Sequence, residues 1–327
     1  AVRAGDMRPC HLVSGAAVLI DSGAPMPLGA DTVIPWTDTD RGESRVSLYC
    51  AATAGDHVRR RAEDVKSGTT VLKRGSRVSA RHIALLAGLG LHRVRVHPAP
   101  RVVVVSIGDE LVEPGQSREA GDVFDANGHA LACAVTDAGG QAFRVAAVPD
   151  ELRALADTIE DQLVRADVLI TTGGLSVGQG DTVKEVLTPL GSVRFDAVAM
   201  SPGRQLGVGT VEGTPIFCLP GDPVSAQIAF ETFVRPVLRQ IAGRTSLHRS
   251  SLPAAISEGW HSPVGKRQFI PVHVSGSPSL GYRAEPTTPP GTVRLHGLSE
   301  ANAIAVVPED TSTVVAGDTL HCLLLDA

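Results

Sequence analysis

A chain of 327 residues, 43% hydrophobic and 20% charged, has enough apolar material for more than one folded core. Its net charge of −5 does not point to a nucleic-acid or anionic-membrane partner. No apolar run nears the roughly 18 residues of a membrane span. Cys10, Cys50, Cys133, Cys218 and Cys322 form no C-x-x-C pair and have no histidine at zinc-site spacing, which fits reduced thiols in a cytoplasmic protein.

Residues 1–60 mix glycine and proline with short runs such as "AAVLI", "DTVIP" and "RVSLYC", and read as an N-terminal β domain. Residues 61–98 read as a linker or small α-β domain. Within it "SARHIALLAGLG" has helical spacing and a glycine stop, and "LHRVRVHPAP" reads as a short strand with a proline boundary.

Residues 99–247 alternate strand and helix. Strands are expected at 101–106, 142–148, 167–171, 205–211 and 215–218; helices at 126–139, 150–164, 181–188 and 223–241. Continuous apolar strands in this rhythm predict a three-layer α/β domain with a largely parallel sheet. Residues 248–327 lose the long helices, and runs such as "RQFIPVHVS" and "TLHCLLLD" predict a C-terminal β-barrel-like domain. The fold class is therefore multidomain α/β, with a central three-layer domain flanked by β domains.

Ligands of open α/β sheets sit outside the C-terminal strand ends. Three loops fall there: Ser106–Gly115, Thr171–Asp181 and Leu219–Ala226. Their glycines admit backbone N–H groups close to an anion, a helix start adds partial positive charge, and Thr171, Thr172, Ser176 and Ser225 add hydroxyl donors. A phosphate-bearing ligand suits them. Asp109, Glu110 and Asp181 would repel that anion unless a hard cation lay between, and Mg²⁺ takes carboxylate and phosphate oxygens together. The same residues also fit a plainer account: T-T-G-G as a left-handed turn, Asp181 as a helix cap, Asp109 as a turn cap and Pro223 as a first helical residue.

At these residues the chain resembles a known family. "TTGGLSVGQGD" is similar to the glycine-rich segment of molybdopterin-binding domains. "SIGDELVEPG", "DVFDANGHAL" and "FCLPGDPVSAQIAFETFVRPVLRQIAG" narrow the resemblance to the MoeA-type molybdopterin molybdenumtransferases, which include the gephyrin E domain. "SGAPMPLGADTVIP", "VRRRAEDVKSG", "GKRQFIPV" and "LSEANAIAVVPEDTSTVVAGDTL" extend it over nearly the whole chain. "AVRAGD" resembles the continuation of the family's D-G-Y-A-V motif, so further helices and an aspartate are expected before Ala1, and residues 8–11 resemble a shortened join.

The resemblance implies molybdenum cofactor biosynthesis: Mg²⁺-dependent insertion of molybdate into adenylylated molybdopterin, with release of AMP. It implies a homodimer with a site built across subunits, and handover of the pterin from an adenylyltransferase. It marks Asp181, Glu110, Asp64, Asp150 and Arg61 as catalytic residues, with Asp181 and Glu110 at the metal. It marks Thr172, Gly173, Gly174, Ser176, Gly178, Gly203, Arg204, Pro220, Gly221 and Ser225 as binding the pterin substrate.

The chain departs from the family pattern in three places. Ala197 and Ser201 stand where the family has lysines, G-D-P replaces G-N-P and adds Asp222, and "GTVRLHGL" replaces a serine-rich segment. These departures leave two other readings open: a divergent paralogue that binds a pterin or another phosphorylated ligand without inserting molybdenum, and a scaffold.

Overall fold

The computed structural model describes residues 1–175 and 181–325. It divides into two compact units, Ala1–Lys73 and Arg74–Ala327, and each is described by itself.

The first unit is made of turns. The runs expected as strands meet only through isolated bridges, Val2–Ile20, His11–Leu28 and Thr39–Leu48, with one 3₁₀ turn at Trp36–Asp38. Glycines with left-handed backbone at positions 5, 15, 23 and 29 bend the chain between the runs, so no ladder grows past one pair. Trp36, Leu48 and Tyr49 are exposed, and Val2 is the buried large hydrophobic of this unit among the described residues.

The second unit opens with α1 (Ala80–Gly88). Ser79 and His82 form a reciprocal cap at its start. The strand expected at 91–100 does not form: the segment is irregular, with Leu91, Val94 and Val96 exposed. Pro98 and Pro100 remove donors that a ladder would need.

The α/β domain follows in the expected rhythm. Its elements are β1 (Arg101–Ser106), β2 (Leu111–Val112), β3 (Val123–Phe124), α2 (Ala126–Ala138), β4 (Gln141–Arg144), α3 (Leu152–Leu163), β5 (Val168–Thr172), α4 (Thr182–Leu190), β6 (Gly191–Ala197), β7 (Met200–Ser201), β8 (Gln205–Val211) and β9 (Thr214–Leu219). One six-stranded sheet has the order β4-β1-β5-β9-β8-β6. The first four strands run parallel; β8 and β6 add antiparallel.

Period-2 side-chain alternation builds the two outer layers. Val102 and Val104 pack with Leu131, Val135, Phe217 and Phe230 on one face. Val103 and Val105 pack with Leu155, Ile159, Val183 and Leu187 on the other. The strands are apolar throughout because both faces are covered.

Three local outcomes differ from the expectations. β4 ends at Arg144, short of residue 148, and the chain continues irregularly to an isolated bridge between Ile107 and Val148. β6 was not anticipated: it starts immediately after α4, where Pro189 in the last turn brings that helix to a stop. The helix expected at 223–241 is three pieces, α5 (Pro223–Ala229), a π-turn at Phe230–Val234 and α6 (Arg235–Ile241). Pro236 cannot donate to the helical ladder, and the π-turn just before it absorbs the break.

The last part holds β10 (Ser251–Ile256), β11 (Trp260–His261), β12 (Arg267–Ser277), β13 (Gly281–Pro286), α7 (Leu295–Glu300), β14 (Ala303–Val307), β15 (Thr313–Val314) and β16 (Thr319–Leu324). The order β13-β10-β16-β14-β12 closes on itself because β12 also pairs with β13. Ala254, Ile256, Val272, Ala305 and Val307 fill this ring. β7 adds to β12, and Met200, Val224, Ile228, Phe269 and Ile304 form a shared core with the α/β domain.

Candidate functional site

β1 sits between β4 and β5, reached in opposite directions by its two crossovers. The strand order therefore switches at β1/β5, and a crevice opens outside their C-terminal ends. β9 lies next to β5, so the ends at Ser106, Thr172 and Leu219 stand side by side.

The loops after them are in close contact. Ile107 N–H donates to Thr172 O at 2.9 Å, and Gly173 N–H to Leu219 O at 3.3 Å. Gly173 has φ +87°, and an added Cβ would run into the Ile107 carbonyl oxygen. Gly174, at φ +65°, would place a Cβ 2.7 Å from Val183 Cγ2 and 3.6 Å from Asp150 Oδ1. A Cβ on Gly221 would lie 3.4 Å from Gly173 Cα. The two glycine loops thus approach each other backbone to backbone, and the Ile107 carbonyl leaves no space for a side chain at Gly173.

A buried polar chain ties these loops together. Asn127, 8% exposed in the first turn of α2, donates from Nδ2 to Thr172 Oγ1 at 2.9 Å and to Gly221 O at 2.8 Å. Thr172 Oγ1 donates onward to Pro220 O at 2.8 Å. Beneath it, Asp125 caps α2: its buried carboxylate accepts from Gly128 N–H at 2.8 Å and from Ser106 Oγ at 2.9 Å, with Arg144 at 3.4 Å. Arg144 also pairs with Glu113 at 2.6 and 2.9 Å, and this hydrogen-bonded guanidinium holds the Glu113 carboxyl below its usual range. Sequence reasoning passed over Asp125 and Asn127 as site residues. The available signal was Asp125 in "DVFDANG", an aspartate immediately before an apolar helical run.

The expected site residues fall into groups. Thr172, Gly173, Gly174, Pro220 and Gly221 are brought together as described. Ser225 belongs with them: its N–H is bound by Asp222 at the start of α5. Gly203 joins from the β7–β8 turn, where a Cβ would lie 3.3 Å from Ser225 O. Arg204 follows it, exposed. Asp150 is exposed beside Gly174, and its N–H is held by Asp109 Oδ1 at 3.0 Å. Asp181 caps α4 through Lys184 N–H at 3.1 Å. Glu110 is exposed and folds back over Gly108. Asp64 and Arg61 are exposed residues of the first unit, in and beside a turn where Glu63 N–H donates to Arg60 O. Ser176 and Gly178 lie outside the described residues.

Two departures from the family pattern acquire a place. Ala197 ends β6 opposite Gln205, and Ser201 ends β7 opposite Gln268. The Asp222 carboxylate serves as the α5 cap. Cys218, fully buried in β9, has its thiol pushed up to about 12 by burial, with the Asp181 charge acting in the same direction.

The donor set fits Mg²⁺ of one kind only. Among the described residues no three His, Cys, Asp or Glu side chains gather as a metal cage. Mg²⁺ accepts one or two carboxylates when phosphate oxygens and water complete its shell. Asp181, with one oxygen bound to the helix cap, and the exposed Glu110 are carboxylates of chemistry that suits that mode.

The whole chain is similar to known proteins part by part. Residues 2–90 match the family described as MoeA N-terminal region (domain I and II), residues 103–240 the probable molybdopterin binding domain, and residues 253–325 the MoeA C-terminal region (domain IV). Over 311 residues the chain is 39% identical to molybdopterin molybdenumtransferase 2 of Mycobacterium tuberculosis, covering 92% of this chain and 75% of that protein.

The chain belongs to the MoeA-type molybdopterin molybdenumtransferase family.

Other members extend the likeness. Gephyrin of Dictyostelium discoideum is 30% identical, covering 94% of this chain and 48% of that protein. The crystal structure of a MoeA protein from Pyrococcus horikoshii superposes with a TM-score of 0.83 at 29% identity, over 100% of this chain and 80% of that one. The MoeA fold, a molybdopterin-binding α/β domain with flanking β regions, is thus the fold of this chain. Among the described residues no helix is long and apolar enough to cross a membrane.

Proposed function

We propose that this protein inserts molybdate into adenylylated molybdopterin, the final metal-loading reaction of molybdenum cofactor biosynthesis, and releases AMP. The observation that carries this reading is the meeting of Gly173 and Gly221 at the end of the parallel sheet, in a chain of this family. Backbone N–H groups of a glycine-rich strand-to-helix loop favour a phosphate, and the substrate carries a phosphoanhydride between its pterin phosphate and AMP.

In this reading the Thr172–Gly174 and Pro220–Ser225 loops seat the phosphates. Gly203 and Arg204 close one side, and the exposed Arg204 guanidinium offers paired donors to an oxyanion. Asp181 and Glu110 would hold Mg²⁺, which when bound would offset phosphate charge as the anhydride opens. Cleavage breaks the P–O bond to AMP, water supplies the new oxygen on phosphorus, and AMP departs as the leaving group. Molybdate is the second substrate, taken up by the dithiolene sulfurs. Asp64, Asp150 and Arg61 complete the catalytic set that the family resemblance marks, in a cytoplasmic homodimer that receives the pterin from an adenylyltransferase.

Loss of lysine at Ala197 and Ser201 favours the second reading, a paralogue that binds the pterin without loading it. The test is molybdate-dependent release of AMP from adenylylated molybdopterin by the purified protein. AMP release that rises with molybdate supports insertion; tight pterin binding without AMP release supports the paralogue. Light scattering on the same sample reads the dimer.

A further inference from the structure

We propose that Asn127 is the positioning residue of the phosphate cradle: its amide sets the distance between the Thr172–Gly174 and Pro220–Asp222 loops. The proposal rests on the phosphate-binding reading of those loops. Asn127 stands on a fixed base, because Asp125 two residues earlier is buried and held by Gly128 N–H and Ser106 Oγ. From that base Nδ2 reaches both loops, at 2.9 Å to Thr172 Oγ1 and 2.8 Å to Gly221 O.

The direction of these bonds is forced. Gly221 O can only accept, so the group facing it is the NH₂ end of the amide. Thr172 Oγ1 spends its hydrogen on Pro220 O, so it accepts from Asn127. One amide therefore holds the end of β5 directly and the loop after β9 both directly and through a hydroxyl. Where the backbones of Gly173 and Gly221 meet, a change in this spacing moves the two loops that would seat the anion.

The other end of the amide argues against a role in stability alone. Asn127 Oδ1 is buried with no hydrogen-bond partner among the described residues. An unpaired buried acceptor costs stability, so packing by itself does not account for an asparagine here. Both donors are used on the two loops, and that use does account for it.

The test is binding of inorganic pyrophosphate to the full chain by calorimetry, with melting temperature measured alongside. Asn127→Asp keeps the shape and loses both donors. We expect it to weaken pyrophosphate binding about tenfold, Thr172→Val to weaken it less because the Asn127–Gly221 bond remains, and the double variant to lose little more than Asn127→Asp alone, because the Thr172 bond belongs to the same linkage. In turnover, KM for the pterin substrate should rise more than kcat falls. Additive losses, or a folded Asn127→Asp chain with wild-type affinity, overturn the proposal. If Asn127→Asp does not fold, Thr172→Ser should bind pyrophosphate more tightly than Thr172→Val, since only serine keeps the hydroxyl link; equal affinities overturn it. A wild-type chain that binds no pyrophosphate overturns the cradle reading itself, and the proposal with it.

Discussion

The Asp222 carboxylate accepts a 2.8 Å hydrogen bond from the backbone N–H of Ser225 and so caps α5. Its charge lies where the family has a neutral asparagine and where a phosphate would approach. Asparagine caps a helix about as well as aspartate, whereas alanine costs roughly 1 kcal/mol. Asp222→Asn should leave the melting temperature unchanged and tighten pyrophosphate binding severalfold, as removal of a like charge at a helix start requires. Asp222→Ala should lower the urea midpoint by an amount equivalent to about 1 kcal/mol. Weaker anion binding in Asp222→Asn would show that the charge assists rather than opposes the ligand.

Asp181 has two separable contributions. Its carboxylate caps α4 through Lys184 N–H, so Asp181→Ala should cost about 1 kcal/mol of stability as well as activity. Asp181→Asn keeps the cap acceptor and removes the charge. The proposed metal role requires Asp181→Asn to lose Mg²⁺-dependent AMP release at near wild-type stability. Unchanged Mg²⁺ dependence in that variant would leave Asp181 as a helix cap alone.

Gly173 is held at φ +87°, with the Ile107 carbonyl where a side chain would begin. A left-handed backbone alone costs a non-glycine residue roughly 1–2 kcal/mol, and the clash adds to it. Gly173→Ala should therefore lower stability by more than 2 kcal/mol in urea unfolding, about the left-handed cost plus a steric share. Gly115, also at positive φ but with open space around it, should lose only the left-handed share of about 1–2 kcal/mol on replacement by alanine.

The Glu113–Arg144 pair sets a pH dependence. The hydrogen-bonded guanidinium lowers the Glu113 carboxyl below its usual value of 4.5. A carboxylate whose folded value is depressed contributes its full stability above the unfolded value, and loses it as pH falls through the folded one. Wild type should exceed Glu113→Gln in urea midpoint at pH 6–7, and the two should converge as pH drops below about 4. A constant gap down to pH 3 would assign the stabilisation to packing rather than to charge.

Thiol reactivity reads burial directly. Cys50 and Cys133 are exposed, whereas Cys218 and Cys322 are buried with thiols pushed up to about 12 and about 11 by burial. Native protein should react with Ellman's reagent at Cys50 and Cys133 and leave Cys218 and Cys322 unmodified until denaturant is added. Rapid modification of Cys218 would mean that β9 opens readily.

Much of the architecture is local and was legible. The valine run of β1, with apolar residues feeding both faces, specifies a doubly covered strand, and "TTGG" followed by Asp181 marks a strand-to-helix turn whichever role the residues take. The expected strand ends put the same loops at one sheet edge. The irregular 91–100 segment and the bridged N-terminal runs depart from the strand expectation because apolar alternation does not reveal whether a partner strand is available. β6 is not legible in the sequence because its exposed, weakly apolar pattern carries little periodic signal. The tertiary structure decided the polar wiring of the site. Asn127 precedes Thr172 and Gly221 by 45 and 94 positions, and no local pattern links residues so far apart. Their linkage follows from the strand order that sets β1, β5 and β9 side by side, and from burial that obliges each polar group to find a partner.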